Sequence, residues 1–492
     1  MRNTKFTLLA LAAMLSLASC KKDYLETAPT NATSSDDVFK TTANAWTAIN
    51  GIHRMLYIQW NGNQDQGGQS ANMIYMDMLG EDLVNTAQAN GWFISCYRWL
   101  DHRNVNHRVP YFNYQFYFKI IANANMIIAN IDNAEGPEAD KKIIKGQALA
   151  YRAWCYHQMV QLFGKRFDAA GANDSPGVPL VLAPTNEPAP RASVAEVYTQ
   201  INKDLDDAIV NLAGYTRANK SHLNVNVAKG LKARVALTMQ NWTVAAQMAS
   251  EARQGISLMS NAQYLSGFND YTNPEWMWGS KQQEDQQTFF YSFFAYMSVN
   301  FNSSNIRGNP KAINSLLYNQ ISATDVRKQL WDPTGTNTAF PIPPGGLRRP
   351  YMNRKFVAPG GSGISIGDLP YMRAAEMYLI EAEALARAGQ TTPAAQALFT
   401  LVKNRDANYT LSTNTGQALI DEILIHRRVE LWGEGFRFYD LKRLNQPLNR
   451  NGANHISSLA VVFDVPAGDK QWEFLIPQSE LNTNPLVTQN PL

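Results

Sequence analysis

Residues 368–388 read DLPYMRAAEMYLIEAEALARA and residues 389–405 continue GQTTPAAQALFTLVKNR. The spacing predicts two helices, Met372 to Ala388 and Pro393 to Arg405, turning at Gly389. Pro393 sits in a first turn, where a missing N–H breaks no helical bond. Ala374, Ala375, Ala382 and Ala386 give the first helix a face of small residues, which lets a neighbour pack close. A second pair reads the same way, Val227 to Met239 and Val244 to Arg253 across Gln240-Asn241-Trp242, with Ala228, Ala233, Ala236, Ala245, Ala246 and Ala249 on its faces.

Working outward, more helical periods appear at Ala43, Trp46, Ile49, Ile52 and Leu56, at Phe118 to Ile131, and at Lys142 to Leu162, stopped by Gly164. Ser34, Ser35 and Asp36 offer caps to the first of these. Val194 to Leu212 follows Ser193 with Glu196 three residues on, the pattern of a capping box. These helix-turn-helix units are similar to tetratricopeptide repeats, whose faces need neighbours to be buried. The reading is a mostly α fold in one domain over 34–492. A helical scaffold covers about 34–254 and 370–445, and an irregular, loop-rich insertion covers about 255–369. Gly, Pro, Asn and Ser punctuate that insertion, and only Lys311 to Tyr318 keeps a helical period. Its aromatic runs, such as TFFYSFFAY at 288–296, argue against disorder.

The amino terminus carries an address. Arg2 and Lys5 precede an apolar run from Phe6 to Leu17, too short for a bilayer core of ~30 Å but suited to a secretion signal. It ends Leu17-Ala18-Ser19-Cys20, the pattern of bacterial lipoproteins, so residues 1–19 are expected to be removed and Cys20 to carry acyl chains. A plain signal peptide with an incidental Cys20 is the alternative. Residues 20–33 read as a flexible tether. Without Arg2 and Lys5, 42 basic residues face 41 acidic ones. With no dense basic run, nucleic acid is not an expected partner. Cys155, mid-helix among apolar neighbours, reads as a buried thiol.

Glu430 and Glu434, four residues apart, could be taken for a glycosidase pair. Arg427, Arg428, Arg437 and Arg443 crowd them, so structural ion pairs are expected instead. Asp77, Glu81 and Asp82 form a second acidic cluster: helix caps, a calcium site or a ligand contact, the last through Asp82. No zinc-spaced Cys/His cluster, nucleophile elbow or phosphate loop occurs, so neither metal nor cofactor is expected. Sugar sites combine aromatic faces for C–H groups with amides and carboxylates for hydroxyls. Trp92, after the polar loop Asn85 to Gly91, fits that need, as do Tyr291 and Tyr296.

Together with Cys20, five further patterns carry a resemblance. They are Tyr151-Arg152-Ala153-Trp154-Cys155-Tyr156 leading to Gln161-Leu162-Phe163-Gly164 and Val178-Pro179-Leu180; Asn273-Pro274-Glu275-Trp276; Asp368 to Glu376; Arg427 to Arg443; and Phe474-Leu475-Ile476-Pro477 with Glu480-Leu481-Asn482 and Gln489-Asn490-Pro491. In this order they resemble the RagB/SusD family of outer-membrane nutrient-binding lipoproteins of Bacteroidetes. The resemblance implies a non-enzymatic protein that binds a glycan or peptide and delivers it, as a lid, to a TonB-dependent SusC-like β-barrel transporter. It also implies a cell-surface location on a lipid anchor, and core positions for Trp154, Trp276 and Trp432, which belong to its motifs. An exported glycoside hydrolase and a scaffold that binds only proteins are the other readings.

Overall fold

Each of the long stretches with helical apolar spacing is a helix in the computed structural model, which describes residues 38–283 and 289–492. Cys20, the leader, the tether and the caps expected at Ser34 to Asp36 lie outside the described residues. The first long helix, Thr42–Met55, is capped instead by Thr41, whose hydroxyl accepts from the Asn44 N–H at 3.1 Å. Arg108–Asn130 begins ten residues before the expected Phe118. His107 caps it, Pro110 falls in its first turn, and Val109, Phe112 and Phe116 extend its buried face. Glu138–Phe163 packs against it and ends at Gly164. The capping box of Val194–Asn211 is formed: Ser193 Oγ accepts from the Glu196 N–H at 3.2 Å, and the Ser193 N–H donates to Glu196 Oε2 at 2.8 Å.

The alanine-rich pairs are Val225–Thr238 with Trp242–Ala252, and Ala374–Arg387 with Thr391–Arg405. Trp242–Ala252 packs on Ala374–Arg387, so the pairs stack, with Ala245, Ala249, Ala375 and Ala382 fully buried between helices. The Ala374 helix starts later than Met372 because Leu369–Arg373 is a strand, antiparallel to Trp276–Ser280. Lys311 to Tyr318 also departs from its helical period. Lys311–Ile313 is a strand and Ser315–Asn319 a short helix, divided by Asn314, whose side chain accepts from the Leu316 N–H. The strand is the second in a four-stranded antiparallel sheet ordered Leu83–Asn85, Lys311–Ile313, Met352–Asn353, Trp331–Asp332. Tertiary pairing has overridden local period here. That pairing joins the irregular region to the segment just before Trp92.

The expected carboxylate pair is a buried charge network. The Gly416–Glu430 helix stops at Glu430, and Gly433 and Gly435 then take left-handed backbone, so Glu430 and Glu434 do not share a helix. Gly435 has no alternative: a Cβ there would lie 2.6 Å from Met73 Cα. Arg373 reaches Glu275 at 2.5 Å, Glu430 at 3.0 Å and Glu434 at 2.7 Å. Arg405 reaches Glu275 at 2.7 Å and Glu430 at 3.1 Å, Arg327 reaches Glu430 and Asp325, and Lys355 reaches Glu434 at 2.7 Å. Four cations thus meet four carboxylates, all buried. Burial alone would raise the Glu430 carboxyl, but Arg405, Arg373 and Arg327 outweigh it and hold it well below the usual range. A carboxylate so held cannot serve as a general acid. Trp154, Trp276 and Trp432 are core residues, and Cys96 and Cys155 are buried free thiols.

Candidate functional site

The loop that presents Trp92 is bent by its backbone. Ala89, Gly91 and Phe93 all have left-handed φ, at 47°, 79° and 63°. For a non-glycine residue this costs of order 1–3 kcal/mol and persists only where surroundings enforce it. They do so here. Asn309 Oδ1 accepts from the Thr86 and Ala87 N–H groups at 2.8 and 3.1 Å, and Asn90 Nδ2 donates to Ser304 Oγ at 2.7 Å. The bend separates two consecutive rings: Phe93 is buried, while Trp92 is half-buried and keeps part of its surface in solvent.

The buried Phe93 ring belongs to an aromatic floor within the core against which Trp92 packs. The Phe93 ring meets Tyr296 edge-on, with centroids 4.9 Å apart, and meets Tyr75 at the same distance. Beside it, the Arg108 guanidinium lies over the Trp92 ring, 5.1 Å from its centroid, and Arg108 Nε donates to Asp65 Oδ2 at 2.8 Å. Burial pushes the Asp65 carboxyl up, against the pull of Arg108. Burial would lower the Arg108 guanidinium, but Asp65 outweighs it and raises it. The hydrogen bond to Asp65 holds the cation against the indole face. Tyr291 is half-buried on the neighbouring segment, and its carbonyl oxygen is pressed against Gly67, where any Cβ would sit 2.0 Å from it. Only glycine fits there, and the contact ties the Tyr291 segment to the loop bearing Asp65.

The fold thus brings Trp92, Tyr291 and Tyr296 to one region, although some 200 residues separate the first from the others. Two of the sequence assignments need correction. Tyr296 is only 2 % exposed and supports the floor, so it offers no ring face to a ligand. Asp82 is buried and bound to Arg428, which reaches it from Nε and from Nη2 at 2.5 Å; it belongs to the core and not to the Trp92 shelf. The rest of that acidic cluster is also engaged. Glu81 pairs with Arg437 at 2.5 Å, and Asp77 Oδ2 accepts the Gly435 N–H at 2.9 Å. Among the described residues, no three His, Cys, Asp or Glu side chains are grouped to hold a metal.

Asp77 carries a pH signature. Burial pushes its carboxyl up to about 8, with Asp82 and Glu434 adding like charge against the Gly435 N–H and Lys355. An unfolded Asp ionises near ~3.9, so between that value and about 8 the unfolded state binds fewer protons and stability falls as pH rises. Asp77→Asn removes this dependence while keeping the acceptor. The melting temperature of the variant relative to the parent is expected to rise between pH 5 and pH 8; an offset that does not change with pH would refute the assignment.

Sequence reading missed Trp60, Asp65 and Arg108. Trp60 is half-buried and packs edge-on to Phe116 at 5.4 Å; its backbone N–H donates to the Gln66 carbonyl at 2.8 Å and its indole N–H to the Met55 carbonyl at 3.3 Å. Asn61 Nδ2 donates to Gln66 Oε1 at 3.0 Å and Gln115 Oε1 at 2.8 Å. The signal was present as Trp60-Asn61-Gly62-Asn63, a tryptophan in a run of turn residues, followed by Gly67-Gly68. Arg108 and Asp65 had no such signal, because their pairing exists only in three dimensions. An indole face, a fixed guanidinium and nearby amides suit recognition of an apolar face edged with hydroxyls.

Comparison with known proteins decides the lineage. The SusD family profile matches residues 239–492, just over half the chain. The chain belongs to the SusD family. Residues 23–237 match a second SusD-like profile, described as starch-binding and associating with the outer membrane. A SusD-like protein P38 from Formosa agariphila is 23 % identical, aligned over 92 % of this chain and 93 % of its own length. A SusD-like carbohydrate-binding protein from Bacteroides vulgatus superposes with a TM-score of 0.78 at 25 % identity, covering 91 % of this chain and 97 % of that one. A laminarin-binding SusD-like protein shares the fold with a TM-score of 0.70 at 18 % identity, covering 92 % and 99 %. Among the described residues, no helix of this SusD family member is long and apolar enough to cross a membrane.

Proposed function

We propose that this SusD family protein binds an oligosaccharide on the shelf formed by Trp92, without chemistry, and passes it to a TonB-dependent SusC-like barrel in the outer membrane. The observation that carries the reading is the half-buried Trp92 ring, with Arg108 and a rigid aromatic floor against it. The likeness to carbohydrate-binding and laminarin-binding relatives supports a glycan as the ligand. The description of the matching profile supports the outer membrane as the location. Acylation at Cys20 and a tether over 20–33 would hold the folded part, 34–492, at the cell surface, and a hinged attachment of this kind suits a lid over a barrel.

The test is a binding screen of the full-length chain, purified in detergent, against glucans, other plant and algal polysaccharides, and mixed peptides. Binding to at least one glycan with no release of reducing sugar over a day is the expected result. Binding of peptides alone would transfer the shelf to a peptide ligand, and turnover of the bound glycan would restore the hydrolase reading. Capture of an outer-membrane barrel by the lipid-anchored chain tests the partner separately.

A further inference from the structure

The Arg108–Asn130 helix reaches beyond the Trp92 shelf. Arg108 lies at its start, and its exposed side continues through Tyr111, Gln115, Phe118 and Lys119 as one wall of a separate groove of about 550 Å³. The facing wall is the loop 182–188, exposed throughout, joined by Glu480 from the Gln478–Thr483 helix. That loop is fastened at both ends. The Tyr156 hydroxyl donates to the Val181 carbonyl and accepts from the Val181 N–H, both at 2.8 Å, and Asn484 Nδ2 donates to the Ala189 carbonyl at 3.0 Å. Pro179, Pro184, Pro188 and Pro190 fix φ along it. The groove is therefore formed before any ligand arrives, which limits the ordering cost of binding.

We propose that this groove is an extension of the Trp92 shelf and takes the distal units of a long oligosaccharide. Continuity is the first argument. Gln115, a wall of the groove, accepts from Asn61 at 2.8 Å; Asn61 also donates to Gln66, whose amide donates to the Arg108 carbonyl at 3.4 Å. At 1.5 Å per residue the helix covers about 16 Å from Arg108 to Lys119, room for roughly three more sugar rings. Chemistry is the second. Tyr111, 37 % exposed, and the half-buried Phe118 offer ring faces to C–H groups, while Gln115, Glu187 and Glu480 offer partners for hydroxyls. An extended peptide would seek main-chain pairing along a strand edge, and neither the helix nor the loop 182–188 offers one.

The extension rests on the saccharide reading of the shelf, and the two can fail separately. Oligosaccharides of two to eight units from the β-1,3-, β-1,4- and α-1,4-glucan series are titrated into the full-length chain by calorimetry, alongside mixed peptides of similar length. Affinity is expected to rise at least tenfold between three and six units. Tyr111→Ala, on an exposed helix face, is expected to bring the hexasaccharide back to the affinity of the trisaccharide and to leave the trisaccharide unchanged. Trp92→Ala weakens every length. A plateau at two or three units, or a Tyr111→Ala chain that keeps the gain with length, overturns the extension and leaves the shelf intact. Peptides occupying the groove also overturn it. No binding by any saccharide removes both.

Discussion

Arg373→Ala is expected to destabilise the protein by about 3–5 kcal/mol, the usual cost of removing one member of a buried ion pair. The magnitude follows from what is left behind. Arg373 donates to Glu275, Glu430 and Glu434, all buried, so its loss leaves three cations for four carboxylates in a region water cannot reach. The remaining partners are already occupied: Lys355 Nζ also donates to the Glu430 and Trp432 carbonyls, at 2.9 and 2.7 Å, and cannot turn to compensate. Denaturant unfolding followed by circular dichroism measures the effect. A loss below about 1 kcal/mol would mean that solvent reaches the network, against its burial here.

The second large effect is on recognition. Trp92→Ala is expected to weaken glycan binding by about 2 kcal/mol or more, roughly thirtyfold, as for a tryptophan at the centre of a contact surface. Folding is expected to survive, because the floor of Phe93, Tyr296 and Tyr75 packs independently of the exposed indole edge. Titration with a glycan identified in the screen, together with a melting curve, separates the two outcomes. Unchanged affinity in the folded variant would exclude Trp92 from the site.

How far the sequence could be read depended on the range of the interactions. Helix pairs such as Ala374–Arg387 with Thr391–Arg405 were legible because alanine spacing, Gly389 and Pro393 are local signals. Lys311–Ile313 was not, since its strand exists only through pairing with Leu83–Asn85 and Met352–Asn353, far away in the chain. The site divides in the same way. Trp92 stands out in the sequence because of its polar loop, and the structure leaves its ring half-buried, which is what the proposed role requires. Asp82 was misread because the arginine that takes it, Arg428, is 346 residues distant. Tyr296 lies in an aromatic run, and no local rule says that residues 292–297 are buried while Phe290 stays exposed. The Arg108–Asp65 pair left no trace at all.

The charge network has a further consequence, for the order in which the molecule is made. Its members come from positions 275, 325, 327, 355, 373, 405, 430 and 434, so the chain must fold almost to its end before the set is complete. Any partial assembly strands a charge away from water, which is worse than having no assembly. The network therefore acts as a proofreading step. A chain that stops short of residue 405 leaves Arg373 without Glu430 and Glu434 and Lys355 without Glu434, and is expected to hold its fold less well than the finished protein.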